Sequence, residues 1–116
     1  MSLSDTKKMC GLTAEQVGEI LQMDSRTIYD QIARPRKTDK TNESLKLQVQ
    51  KCILLIQKEL PDFSSLFPAL ENPAWDTKVE RSGLFAVQLK NFAREIVAEN
   101  PAIPAESLRV LRIIAG

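Results

Sequence analysis

Residues 12–33, LTAEQVGEILQMDSRTIYDQIA, hold two short helical patterns separated by a polar break, and the reading of the chain turns on them. Thr13 stands three places before Gln16, the spacing of a capping box in which a hydroxyl and an amide satisfy each other's free backbone donors. Val17, Ile20 and Leu21 then share one helical face, while Glu15, Glu19 and Gln22 fall towards the other. Met23 is expected to point back into the same small core. Asp24 and Ser25 are residue types that cap a second helix, whose apolar positions are Ile28 and Ile32. Helices joined so tightly cannot lie antiparallel and are expected to cross at a steep angle.

That geometry lets a second helix enter a DNA major groove. Ser25, Arg26, Tyr29 and Asp30 lie towards its exposed N-terminal end and are the candidate base contacts, Arg26 having the planar fork that pairs with a guanine edge. The stretch resembles the helix-turn-helix of phage and bacterial repressors, and its LTAEQVGEIL and SRTIY wording is especially similar to the excisionase and MerR-like group. Val17, Gly18, Leu21, Met23 and Ile28 occupy the motif's aliphatic, small, aliphatic, aliphatic and β-branched positions. The chain departs from the motif at Gln22, where glycine is usual at the turn, and at Gln31, where an apolar residue is usual. Residues 33–43 show no alternating strand pair that would form a wing. The resemblance therefore implies the DNA-binding helix pair alone, in a transcriptional regulator that binds double-stranded DNA sequence-specifically as a homodimer.

Composition sets the frame for this reading. The 116 residues are 43% hydrophobic and 27% charged, ordinary for one soluble globular domain. Net charge is only +1, but it is unevenly spread: residues 26–51 carry seven basic against three acidic side chains, and residues 52–80 two against five. The positive charge thus gathers beside the motif. Arg34, Arg36, Lys37 and Lys40 follow the second helix, which Pro35 stops by disfavouring helical backbone at Arg34. With Thr13 and Thr27 they are the expected contacts to the DNA backbone, which position a protein without reading sequence. The alternative for this loop is a solvated one, as it is for the adjacent Lys7 and Lys8.

The remainder reads as helical cover. Ser4 or Asp5 can cap a first helix that runs through Met9 and Cys10 and ends at Gly11. Asn42 is the expected cap of a long helix ending before Pro61, with a stripe of Leu45, Val49, Cys52, Ile53, Ile56 and Leu60. Leu47, Leu54 and Leu55 spill onto its other faces, so the helix is expected to be central to the fold and shared with a second subunit, the stripe forming a dimer interface. The proline-rich residues 61–77 read as a folded linker, with Trp75 either packed or displayed to a partner. A further helix carries Phe85, Leu89, Phe92 and Ile96 before Asn100 and Pro101. Pro104 opens a last helix with Leu108, Leu111 and Ile114 on one side, although the apolar SLRVLRII run is also compatible with a strand. The fold class is all-α: one domain over 1–116, with the helix-turn-helix at 12–33 and a helical core and dimerisation region at 44–116.

Several functions are disfavoured. The chain has no histidine, which removes the usual general base and a common metal ligand. Cys10 and Cys52 form no CxxC pair, so no metal or other cofactor is expected; Cys52 reads as a small core residue, with an interchain or redox role as the alternative. Four scattered glycines make no phosphate-cradling loop, and an enzyme is not expected. No stretch approaches the roughly 20 apolar residues that span a bilayer, and the N-terminus lacks a signal peptide's apolar stretch, so no membrane and a cytoplasmic location are expected. The second functional reading is a protein-interaction module, a phage-type inhibitor or adaptor that grips a protein partner through the apolar C-terminal half.

Overall fold

The computed structural model describes residues 2–60, 84–99 and 102–116, which form six helices and no strand. These are α1 (Leu3–Met9), α2 (Ala14–Leu21), α3 (Ser25–Ala33), α4 (Thr41–Glu59), α5 (Leu84–Glu99) and α6 (Ala105–Ala115). The protein is a small all-α domain. The linker at 61–77, with Trp75, and the helix stop at Asn100 and Pro101 lie outside the described residues, as does the side chain of Phe85.

Local chemistry sets the ends of the helices. Ser2 caps α1: the Asp5 N–H donates to Ser2 Oγ at 3.2 Å, and the Ser2 N–H donates back to Asp5 Oδ2 at 3.0 Å. The cap is therefore Ser2, and Asp5 is its partner; Ser4, inside the helix, is not a cap. After Met9 the chain closes in a Schellman motif, Leu12 N–H donating to Lys7 O and Gly11 N–H to Lys8 O, with Gly11 at φ +66. At α4 the expected cap is also corrected. The helix starts at Thr41 with no side-chain cap, and the Asn42 amide oxygen instead accepts from the buried Thr6 hydroxyl, joining α4 to α1. A tertiary partner for a buried hydroxyl has taken the side chain from its local use.

One apolar cluster draws on all six helices: Leu3 and Met9 from α1, Val17 and Ile20 from α2, Ile28 from α3, the α4 stripe, Leu89, Ala93 and Ile96 from α5, and Val110, Leu111 and Ile114 from α6. Each fully buried aliphatic side chain there contributes about 1.5–3 kcal/mol by leaving water. The C-terminal run is helix, not strand, and its buried edge is Val110, Leu111, Ile114 and Ala115, while Leu108 and Ile113 are half-buried.

The α4 stripe requires a correction of function. Leu45, Val49, Cys52, Ile53 and Ile56 are each at most 1% exposed within this single chain, and Leu60 is half-buried. A face already covered by its own chain cannot also meet a second copy, so this stripe is core and not a dimer interface. Its circumference is not fully covered, however: Leu47 and Leu54 of α4 are 50% and 59% exposed.

Candidate nucleic-acid interface

Residues 12–33 fold as two helices joined through Gln22 to Asp24. The capping box at the start of α2 is present, with Gln16 N–H donating to Thr13 Oγ1 at 3.1 Å and Thr13 N–H to Gln16 Oε1 at 2.9 Å. The rest of the Gln16 amide reaches α6, its Nε2 donating to Ile113 O at 3.3 Å. At the turn Gln22 takes the left-handed conformation, φ 57 and ψ 45, that glycine adopts most readily. Gly18 lets the turn fold back on α2. Its carbonyl accepts from Met23 N–H at 2.8 Å, and a Cβ at Gly18 would stand 2.6 Å from Met23 O. Asp24 then caps α3, its Oδ1 accepting from Arg26 N–H at 2.9 Å.

α3 is held to the core along a narrow edge. Ile28 is its one buried residue, Ser25, Gln31 and Ile32 are half-buried, and Arg26, Thr27, Tyr29, Asp30 and Ala33 are exposed. Of the four expected base contacts, Arg26, Tyr29 and Asp30 therefore share the outward side, and Ser25 lies partly beneath them. Thr13 and Thr27 are also exposed, at the first turns of α2 and α3. The Tyr29 hydroxyl donates to Glu15 Oε1 of α2 at 2.9 Å. Glu15 is held below the usual carboxylate range, first by its own backbone N–H and then by this hydroxyl, while the same bond raises the Tyr29 phenol. Tyr29 thus crosses from α3 to the start of α2 rather than standing free.

The basic loop begins where α3 stops. Arg34 leaves helical geometry at φ −134 and ψ 72, and Arg36 and Asp39 close a turn by Arg36 N–H to Asp39 Oδ2 at 3.2 Å and Asp39 N–H to Arg36 O at 3.1 Å. Arg34, Arg36, Lys37 and Lys40 are exposed, and none of them makes an ion pair among the described residues. A cavity of about 240 Å³ lies behind them, between the start of α1, the end of α3 and the start of α4. Gln31 lines it, yet its Oε1 is buried without a partner among the described residues. The apolar residue usual at that motif position would leave no such orphan.

Two supports lay beyond the reach of sequence reasoning. Arg109 of α6 donates from Nη1 to Glu19 O at 2.7 Å and from Nη2 to Ile20 O at 2.9 Å, capping the last turn of α2 from across the fold. Glu106 orients that guanidinium and is itself held below its usual range by it. The Glu106 and Arg109 spacing was visible as a helical pair, but its target, some 90 residues away, carried no local signal. Helical spacing puts Glu15 on the outer face of α2 and carries no signal of its Tyr29 partner.

Both cysteines are buried, and burial pushes each thiol up to about 12. That places Cys52 with the core and leaves neither thiol reactive near neutral pH. Among the described residues no group of acidic or cysteine side chains could hold a metal ion, and no helix is long and apolar enough to cross a membrane. Compared with known proteins, the chain matches no family, no curated protein and no solved structure.

Proposed function

We propose that the chain is a sequence-specific DNA-binding transcriptional regulator of the phage or bacterial type, residing in the cytoplasm, that reads the major groove with α3. The observation that carries this reading is the outward side of α3. A helix secured by one buried side chain, braced on α2 by a tight turn and followed by four exposed cations, none in an ion pair among the described residues, offers side chains to a partner rather than to its own core. Arg26 takes the guanine-reading role, with Tyr29, Asp30 and Ser25 as further base contacts. Thr13, Thr27, Arg34, Arg36, Lys37 and Lys40 take the backbone. A homodimer would set two such helices one duplex turn apart, about 34 Å, and would be joined elsewhere than at the α4 stripe. Selection from a random duplex pool tests the reading, followed by Arg26→Ala on the enriched sequence. Loss of about 1–3 kcal/mol of affinity with relaxed preference at one base is expected; unchanged affinity removes Arg26 from the base-reading role.

A second reading is favoured by a specific surface feature. Leu47 and Leu54 of α4 and Val87 of α5 are exposed large aliphatics in the C-terminal half, as a module that grips a protein partner would present. Failure to enrich any duplex, with a partner retained by this half, would favour it.

A further inference from the structure

We infer that the corner between α1 and α2 is a second phosphate-binding patch, built from Lys7, Lys8 and Lys90, which holds the backbone of the same duplex that α3 reads. This rests on the DNA-binding reading above. The corner is defined by Gly11. Its φ of +66 turns the chain, and the absence of a side chain lets α5 close on it: a Cβ there would meet Ala86 Cβ at 3.0 Å, Lys90 Cε at 3.2 Å and Lys90 Nζ at 3.4 Å. The Lys90 ammonium is thereby brought from α5 to the end of α1, where Lys7 and Lys8 occupy the last turn.

Lys90 Nζ stands beside Gly11, two residues past the turn of α1 that carries Lys7 and Lys8, so two helices supply cations to one corner, and none of the three makes an ion pair among the described residues. Two carboxylates lie near, Asp5 beside Lys8 and Glu15 beside Lys7, each held below its usual range chiefly by hydrogen bonds, Asp5 by those from Ser2 and Glu15 by those from its own N–H and the Tyr29 hydroxyl, so the corner sets three cations against two anions. Lys7 lies close enough to Glu15 to lower its pKa, which ties the patch to the Tyr29 side of the reading face. The loop cations Arg34, Arg36, Lys37 and Lys40 follow the C-terminal end of α3. A ligand touching both groups and the outward side of α3 must be extended and repeatedly anionic, as a duplex backbone is. Sequence alone gives a weaker picture, two adjacent lysines on a surface, because nothing in it brings Lys90 beside them.

The test is a salt titration of binding to the enriched duplex and to a random-sequence duplex, for the wild-type protein, Lys7→Gln/Lys8→Gln/Lys90→Gln and Lys58→Gln as a control cation at the far end of α4. Each phosphate contact contributes about 0.9 to the slope of log affinity against log salt. The triple variant is expected to lose about two to three units of slope and to weaken on both duplexes alike, leaving their ratio intact, while Lys58→Gln is unchanged. Lysine acetylation of the wild-type protein supplies a measurement independent of folding, with Lys7, Lys8 and Lys90 protected by duplex and Lys58 not. If the wild type binds and the triple variant keeps its slope, or the three lysines stay unprotected, the patch serves only the negative end of α1 and the inference fails. If the wild type binds no duplex, the DNA-binding reading fails and takes this one with it.

Discussion

Gly18 and Gln22 set the angle at which α3 leaves α2, and they respond to substitution in opposite directions. In a helix interior glycine is less favourable than alanine by roughly 0.5–1 kcal/mol, so propensity alone favours Gly18→Ala. The contact outweighs propensity, because the new Cβ would stand 2.6 Å from a backbone oxygen that cannot swing away. Gly18→Ala is expected to destabilise by about 1–3 kcal/mol. Gln22→Gly is expected to stabilise, since left-handed backbone costs about 1–2 kcal/mol with a Cβ, and glycine's added chain entropy returns only part of that. Urea unfolding of both variants checks the signs; a more stable Gly18→Ala would mean the turn is looser than described. The small residue at position 18 was legible because the motif demands it locally, and the left-handed turn because the motif places glycine there. Tyr29's bond to Glu15 was not, since fourteen residues separate them and no periodicity links them.

Among the elements, α2 depends on α6 more than its short length suggests. Its last turn ends in carbonyls that need donors, and Arg109 supplies two. Arg109→Ala is expected to lower stability by about 1 kcal/mol, the value of a charged hydrogen-bond pair discounted for partial exposure. Arg109→Lys should recover only part of it, because an ammonium does not span two carbonyls as a planar fork does. Equal stability of all three proteins in thermal unfolding would remove α6 from this role. Helix existence was readable for α1 to α5, since caps, the 3.6-residue period and breaker residues are local; for α6 the short apolar run left a strand open. Helix facing was not. The α4 stripe satisfies the same periodicity whether it meets its own chain or another, and only the packing of α1, α2, α5 and α6 around it shows that it is core. Asn42 failed as a cap for a related reason, its partner Thr6 being 36 residues away.

Across the whole chain, the two buried thiols predict how stability responds to alkali. Burial raises both from 9.0 to about 12, so the folded state keeps protons that the unfolded chain releases. Their contribution is fully present below about pH 9 and is lost as pH rises towards 12, by up to roughly 1.4 kcal/mol per unit for each thiol. Urea midpoints measured between pH 8 and 11 should fall less steeply in Cys10→Ala/Cys52→Ala than in the wild type; identical slopes would mean the thiols ionise in the folded protein. The same burial leaves both cysteines unreactive near neutral pH, so a single cysteine placed on exposed Ala33, in the last turn of α3, can be labelled selectively. Coupling a DNA-cleaving iron chelate there and binding the protein to its enriched duplex tests the central claim most directly. The account predicts scission confined to a few base pairs within that sequence, with two such centres about one duplex turn apart if two copies bind. Scission scattered along the duplex, or none above that of the free reagent, would contradict it.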